Sequence, residues 1–505
     1  MCSISMKSTR FDAIIVGSGF GGSAAAYSLA KAGLKTLLVE RGNWARRDAL
    51  DWDQESILLK QRYRSKSPIF VKQYNDKDFK AVHPNEVVGG MSVFYGGASL
   101  RLRENDFETW PIRYTDLEPY YGKSEHLLEV HGEAGQDIYE PARSTDYPFK
   151  SIDLTLPAVR VDRAARKLGY RPFKIPLAIN FTNTSRTVCI KCLTCDGHPC
   201  KIEAKNDSTT TILRRAQAFD FEIMPNVIVQ RFVEKNGKIT SVVCIDQSSK
   251  RTFELSATVV VLSAGAIHSP AILLRSHLEK YENHTFIGKF LMRHCNATVA
   301  TVFPFHTNPD NTFHKQICLT DFYEDFRKKY GSSTGIIQDL RTPSSSVLKH
   351  YAPRGSKNLV ALLERRIQNM LCIAEDDPSV DNAVGLSPET DAYGLEIVKV
   401  VHQYSSRDCE RRDYLVDKAR RIMKQAGGIL SYAYNLDSFS HAVGTLRFGN
   451  DPGESVLDKN CLFWGIDNLF VLDGSFMPSP GGVNPSLTIA ANALRVADYI
   501  QDAFG

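Results

Sequence analysis

The chain has 505 residues, 43% apolar, 24% charged and 10% aromatic, which excludes long disordered tracts, collagen-like repeats and a coiled coil and suggests about three structural units. Lys and Arg total 62 against 57 Asp and Glu, a net charge of +5 with no run of five basic residues, so no nucleic-acid partner is expected. The longest uncharged, largely apolar run, residues 257–267, falls well short of the ~18 residues a membrane helix needs, so no membrane span is expected.

Residues 1–10 carry no apolar signal core. Residues 11–16 read as a short apolar strand, 17–22 as a glycine-rich turn, 23–31 as an Ala-rich helix and 34–39 as a second strand closed by Glu40, together a βαβ unit. Residues 45–85 are polar with weak periodicity, and 86–105 are again glycine-rich. Residues 106–200 hold scattered Pro, Gly and aromatics and end in a cysteine cluster. Strands are expected at 226–230, 239–245 and 258–262, and a helix at 269–275. Residues 296–440 carry no nucleotide signal; within them 407–425 alternates charge at helical spacing and reads as a solvated helix face. A strand at 468–472 and an apolar helix at 486–500 finish the chain. Nucleotide-like segments thus recur at the start, middle and end. The expected fold is α/β (α+β overall): a discontinuous Rossmann-like domain of 1–105, 205–295 and 441–505, with a second unit of 106–204 and 296–440 inserted into it.

Gly17-Ser18-Gly19-Phe20-Gly21-Gly22 fits G-x-G-x-x-G. Gly17 lets the chain turn out of the strand, Gly19 lets backbone approach a pyrophosphate, and Gly22 allows close helix–strand packing. The pyrophosphate belongs at the helix N-terminus, where free N–H groups and the dipole favour an anion. Glu40 lies 23 positions after Gly17, where a carboxylate accepts from ribose hydroxyls. An acid there argues against the 2′-phosphate of NADP and leaves NAD and FAD open.

Four further blocks bear on that choice. They are Val88-Gly89-Gly90-Met91-Ser92-Val93-Phe94-Tyr95-Gly96-Gly97; Ser263-Ala264-Gly265-Ala266-Ile267-His268-Ser269-Pro270; His441-Ala442-Val443-Gly444-Thr445-Leu446-Arg447-Phe448-Gly449; and 468–475, from Asn468 through Asp473 and Gly474, with 482–488, which holds Asn484-Pro485. With the N-terminal turn, these blocks resemble the glucose-methanol-choline oxidoreductases, flavoenzymes that oxidise alcohols with FAD. The resemblance implies an FAD-binding domain with an inserted substrate-binding (cap) domain, and a substrate pocket shaped by residues 300–440. It implies cofactor contacts from Gly17, Ser18, Gly19, Phe20, Gly22, Glu40, Arg41, Gly90, Ser92, Gly96, Ala264, Gly265, Asp473, Gly474, Asn484 and Pro485. In it Asp473 bonds the ribityl chain; read by itself, this residue is equally a turn-forming Asp before Gly474. His268 matches no catalytic position of the family and is read as structural.

Oxidising an alcohol needs its O–H proton removed while hydride leaves the carbon. A neutral imidazole takes such a proton near neutral pH, and an amide donor holds the oxygen without competing for the proton. The family carries a His/His or His/Asn pair on its two C-terminal blocks, and the resemblance assigns it here to His441 as general base and Asn484 as orienting donor. Some members link FAD covalently through a His in the second block. Phe94 occupies that position in a stretch closest to the pyranose-oxidase form, so FAD is expected to be non-covalent; Tyr95 follows where many members have Asn. The expected reaction is oxidation of the CH–OH group of a sugar, polyol or other small alcohol, with hydride passing to flavin N5. The electron acceptor is O2, or a quinone, cytochrome or partner subunit. A steroid or terpenoid alcohol oxidase is the alternative within the class, and a non-catalytic flavin-binding subunit of an electron-transfer complex the alternative outside it.

Four of the eleven cysteines, Cys189, Cys192, Cys195 and Cys200, fall within twelve residues. Their C-x2-C-x2-C-x4-C spacing is one residue off the bacterial ferredoxin run. An iron–sulfur cluster, a structural zinc, or local disulfides and free thiols are the readings this spacing leaves open. Overall cysteine usage suits a cytoplasmic protein with mostly reduced thiols.

Overall fold

The computed structural model describes residues 10–73, 76–352 and 354–505; the stretch read for a signal core lies, but for Arg10, outside the described residues. Strand β1 (Phe11–Val16), helix α1 (Phe20–Lys31) and strand β2 (Thr36–Val39) form the expected βαβ unit. Three later segments join it: β3 (Phe221–Met224), β4 (Ala257–Leu262) and β5 (Leu469–Val471). All five strands are parallel, in the order β5-β4-β1-β2-β3. The inner strands are nearly continuous apolar runs because both faces of a parallel sheet are covered. Helix α2 (Gly265–Leu274) follows β4, and helix α3 (Ser486–Phe504) ends the chain packed along α1.

Glycine decides where α1 lies. Gly17 turns the chain out of β1 at φ +98°, and a Cβ on Gly22 would stand 1.9 Å from the Gly17 carbonyl oxygen. The helix begins at Phe20, three residues before the expected start, because the turn glycines themselves enter its first turn. Residues 227–235 and 238–246 are not in the parallel sheet. They pair antiparallel with each other and with Thr252–Leu255 as a separate three-stranded sheet. Asn236 and Gly237, both at positive φ, make the tight turn between the two long strands.

A six-stranded antiparallel sheet is built from Leu430–Asn435, Ala297–Val302, Ile367–Ala374, Gly335–Leu340, Ile317–Leu319 and Phe173–Lys174, in that order. One face buries Val299, Ile337, Met370 and Cys372 against the helices Leu156–Lys167 and Ser406–Gln425. The other face turns Cys318, Ile336 and Ile373 toward the main core, with Gln338 in register between Cys318 and Leu371. A four-stranded sheet pairs Glu396–His402 with Ile69–Gln73, so residues from both expected units share it.

The charged helix 406–425 is more than a solvated face. Leu415, Val416, Ala419, Ile422 and Met423 are buried at helical spacing, and Arg411 is fully buried between Asp377 at 2.9 Å and Asp408 at 3.2 Å. The alternating charge signs conceal an amphipathic stripe, because its apolar residues are few and widely spaced.

Candidate active site

The glycine turn is fixed by Glu40. Ser18 donates to Glu40 Oε2 from its amide at 3.0 Å and its hydroxyl at 2.5 Å, and the Gly42 amide donates to Oε1 at 2.7 Å. Burial raises the Glu40 carboxyl above its ordinary range against the pull of these donors. The next residue, Arg41, pairs with Glu86.

The second block lies directly over this turn. The Gly89 amide donates to Ser18 Oγ at 2.7 Å, and a Cβ on Gly90 would stand 3.5 Å from the Gly19 Cα. Ser92 Oγ donates to the Gly89 carbonyl at 2.7 Å and meets Ser208 Oγ at 2.8 Å. Phe20 sets its ring edge-on to Tyr95 at 5.0 Å, and the Tyr95 hydroxyl donates to the Asn206 carbonyl at 2.5 Å. Phe94 is buried with Val87 and Val93.

At the C-terminal edge of β4 the Ala264 amide donates to Ser269 Oγ at 3.0 Å and the Gly265 amide to Asp473 Oδ2 at 2.9 Å. Asp473 also accepts from Ser269 Oγ at 2.5 Å, from the Ser475 amide at 2.8 Å and from Ser475 Oγ at 2.5 Å. Four protein donors thus engage the two oxygens of this carboxylate, and it organises the start of α2 and the turn at Gly474. Pro485 stands at the N-terminal boundary of α3. His268 lies within α2.

Two backbone bridges place the third block. Val443 and Met292 exchange hydrogen bonds of 2.9 and 3.0 Å, and the Gly444 amide donates to the Gly474 carbonyl at 3.1 Å. His441 is thereby set beside His294, with 2.9 Å between the two Nδ1 atoms, while His294 Nε2 is 2.8 Å from the Gly481 carbonyl oxygen. On its other side, His441 Nε2 stands 3.4 Å from Asn484 Nδ2. Gln338 Nε2 donates to Asn484 Oδ1 at 2.9 Å. Desolvation, followed by the nearby His294 and Lys315, holds the His441 pKa well below that of a free imidazole, so the ring is neutral at neutral pH. The structure therefore converges a neutral imidazole and an amide donor, 43 positions apart in sequence, on one point.

Comparison with known proteins gives this geometry its context. The pattern described as GMC oxidoreductase matches residues 11–296 in its N-terminal part and 378–493 in its C-terminal part. The chain belongs to the GMC oxidoreductases. It is 32% identical to the 6‴-hydroxyparomomycin C oxidase of Streptomyces lividus and 30% identical to the paromamine 6′-oxidase of Streptomyces fradiae, in each case over 97% of this chain and 91% of the relative. The fold is that of pyridoxine 4-oxidase from Mesorbium loti, with a TM-score of 0.70 at 18% identity, covering 97% of this chain and 98% of that one.

GMC oxidoreductases use FAD, and the residues of this one fit it. No side chain caps α1, so the N–H groups of its first turn are open to a pyrophosphate. The spaces where Cβ atoms of Gly19 and Gly265 would sit have no heavy atom within 4 Å, while the other side of the turn is tightly packed.

The cysteines do not fit a metal. Among the described residues no group of three or more His, Cys, Asp or Glu side chains is arranged to hold a metal ion, and every described cysteine is a free thiol. The spacing that suggested iron–sulfur or zinc at Cys189, Cys192, Cys195 and Cys200 lies on a loop tied to the second block. Lys205, 1% exposed, donates to the carbonyls of Tyr95, Cys195 and His198 and ties this loop to the second block. Asp196, paired with Lys315 at 2.7 Å, fills the space where a Cβ on Gly96 would lie.

His294, Gln338 and Lys315 were missed in the sequence. All three lie outside the five blocks read from the sequence, and His294 is 147 positions from its partner. No local pattern carries the signal that would have found them.

Proposed function

We propose that this GMC oxidoreductase oxidises the CH–OH group of a polar alcohol, a sugar or polyol, with His441 as general base and Asn484 orienting the substrate oxygen. The observation that carries this is the 3.4 Å approach of Asn484 Nδ2 to His441 Nε2. A substrate hydroxyl replacing that contact accepts from the Asn484 amide and donates its proton to His441 Nε2. As the O–H bond breaks, its electrons form the carbonyl and expel hydride from the carbon. FAD, when bound, supplies the two-electron acceptor. Gly17, Ser18, Gly19, Phe20, Gly22, Glu40, Arg41, Gly90, Ser92, Gly96, Ala264, Gly265, Asp473, Gly474, Asn484 and Pro485 would hold or shape its site, and buried Phe94 leaves the cofactor unlinked. A neutral His441 can accept the substrate proton without first losing one of its own.

Two observations favour a polar substrate over a steroid or terpenoid. On the sheet face that carries Gln338, Gln338 Oε1 and Asn369 Oδ1 are buried without a partner among the described residues. Such acceptors are costly to cover with hydrocarbon and are satisfied by hydroxyl or amino groups. The relatives named as 6‴-hydroxyparomomycin C and paromamine oxidases support the same choice. The test is anaerobic mixing of the holoprotein with amino sugars, neutral sugars, polyols and a sterol. Bleaching of the flavin by a polyhydroxylated compound is the expected result. Bleaching by the sterol alone would overturn the substrate class, and no bleaching by any alcohol would favour a non-catalytic flavin protein.

A further inference from the structure

We propose that His294 is a positioning residue that fixes the tautomer of His441, holding its proton on Nδ1 so that Nε2 stays bare toward the substrate. This rests on the reading of His441 as the base. The assignment starts at Gly481, whose carbonyl oxygen can only accept, so His294 Nε2, 2.8 Å away, must carry hydrogen. Desolvation lowers the His294 pKa and keeps that ring neutral, which leaves its Nδ1 without a proton. The two Nδ1 atoms are 2.9 Å apart, and this contact is a hydrogen bond only if His441 Nδ1 donates. A neutral His441 that is protonated on Nδ1 has its lone pair on Nε2.

The other end of the chain agrees. Gln338 Nε2 donates to Asn484 Oδ1 at 2.9 Å, which turns the Asn484 N–H2 toward His441, where it needs an acceptor. The sequence of donors therefore runs one way, from Gln338 through Asn484, His441 and His294 to the Gly481 carbonyl. The opposite tautomer of His441 would set two donors against each other at Asn484 and two lone pairs against each other at His294. When His441 takes the substrate proton on Nε2, its Nδ1–H stays bonded to His294, so no second proton has to move. The geometry is held from outside: the His294 amide donates to Asp376 Oδ1 at 2.9 Å, and the Tyr404 hydroxyl donates to the His294 carbonyl at 2.7 Å. Among the charged groups around the pair, Lys315 lowers the basicity of His441, and Asp376, facing His402, bears on His294.

The direct test is ¹⁵N NMR of the holoenzyme labelled with ¹⁵N-histidine, with the His441 signals assigned by their loss in His441→Asn. The proposal expects a protonated Nδ1 and a bare Nε2 on His441; the reverse overturns it. Two variants give an independent reading. His294→Gln retains an acceptor and a donor, whereas His294→Leu retains only bulk. With FAD content equal to wild type, His294→Leu should reduce flavin more slowly by up to about 10⁴-fold, as when a base loses the partner that sets its tautomer. Its rising pH limb should be displaced from the wild-type position, because His441 has lost the group its Nδ1 faces. His294→Gln should restore most of the rate and the position of the limb. A His294→Leu enzyme with full FAD, wild-type rate and an unmoved limb would refute the proposal, and so would equal losses in both variants. If His294→Leu fails to hold FAD, the NMR result decides. Wild-type reduction in His441→Ala would instead sink the base assignment and leave the measured tautomer standing.

Discussion

The Gly89 amide donates to the Ser18 hydroxyl at 2.7 Å across 71 positions of sequence. The same hydroxyl donates to Glu40. One serine thus joins the glycine turn, the end of β2 and the second block, and these three segments are expected to lose FAD together.

Gly19 is the position at which this cradle is most easily spoiled. The space beside it is open, so Gly19→Val should fold but place a branched side chain where the pyrophosphate belongs. The purified variant should be colourless, with a Tm close to that of wild-type apo-protein. In wild type, acid precipitation should leave a colourless pellet and a yellow supernatant, because Phe94 offers no nitrogen or oxygen for a covalent link. Flavin retained in the denatured protein would contradict this.

Removing the base should separate chemistry from cofactor binding. His441→Ala should keep FAD and slow flavin reduction by ~10²–10⁴, the usual contribution of a positioned general base. Asn484→Ala should slow it by about 10², as when one donor to a developing oxyanion is lost. Because both groups act on one oxygen, the double variant should lose less than the product of the two factors. Anaerobic stopped-flow reduction measures all three, and near wild-type reduction in a fully loaded His441→Ala enzyme would exclude this residue as the base.

The pH profile follows from the direction of the His441 shift. Only the neutral ring accepts a proton, and burial holds its pKa well below the ordinary 6.5. Flavin reduction should therefore rise with pH through a single ionisation on the acid side of that value and stay flat through neutrality. The limb should vanish in His441→Ala. A limb centred above neutral pH would show that another group controls the step.

A second titration concerns stability. Glu375 is 5% exposed; burial first, then the nearby Asp106, pushes its carboxyl from 4.5 up to about 8. Between those values the folded state holds a proton that the unfolded chain has released, so stability falls as pH rises through that window. Glu375→Gln mimics the protonated form, and its Tm should decline less steeply than that of wild type from pH about 5 to about 8. Parallel Tm profiles would show that Glu375 does not titrate as described.

Metal analysis checks the cysteine loop. Protein prepared anaerobically should contain iron and zinc at background, and Cys195→Ser should leave FAD content and flavin reduction nearly unchanged. Near-stoichiometric metal that is lost in Cys195→Ser would restore the ligand reading of the spacing.

Periodicity and glycine placement were enough to locate β1, α1 and β2, because a βαβ unit is written in contiguous residues: an apolar strand, a turn that only glycine fits, and an Ala-rich helix. The return of nucleotide-like segments near 257–274 and 469–504 was legible for the same reason. His441 and Asn484 were found because each lies inside a recognisable block. What pairs across long separations was not legible. The six strands between 173 and 435 alternate only weakly and find their partners through packing against helices on one face and the main core on the other. Arg411 lies in a run of charges yet is fully buried, since what surrounds it is fixed by Asp377 on a different segment. His294 lies outside the blocks read from the sequence, and the bridge between Met292 and Val443 carries it to His441. The sequence determined the local conformations and the chemistry available to them. The tertiary structure decided which ring faces which, because the direction of a hydrogen bond is set by neighbours that only the folded chain brings together.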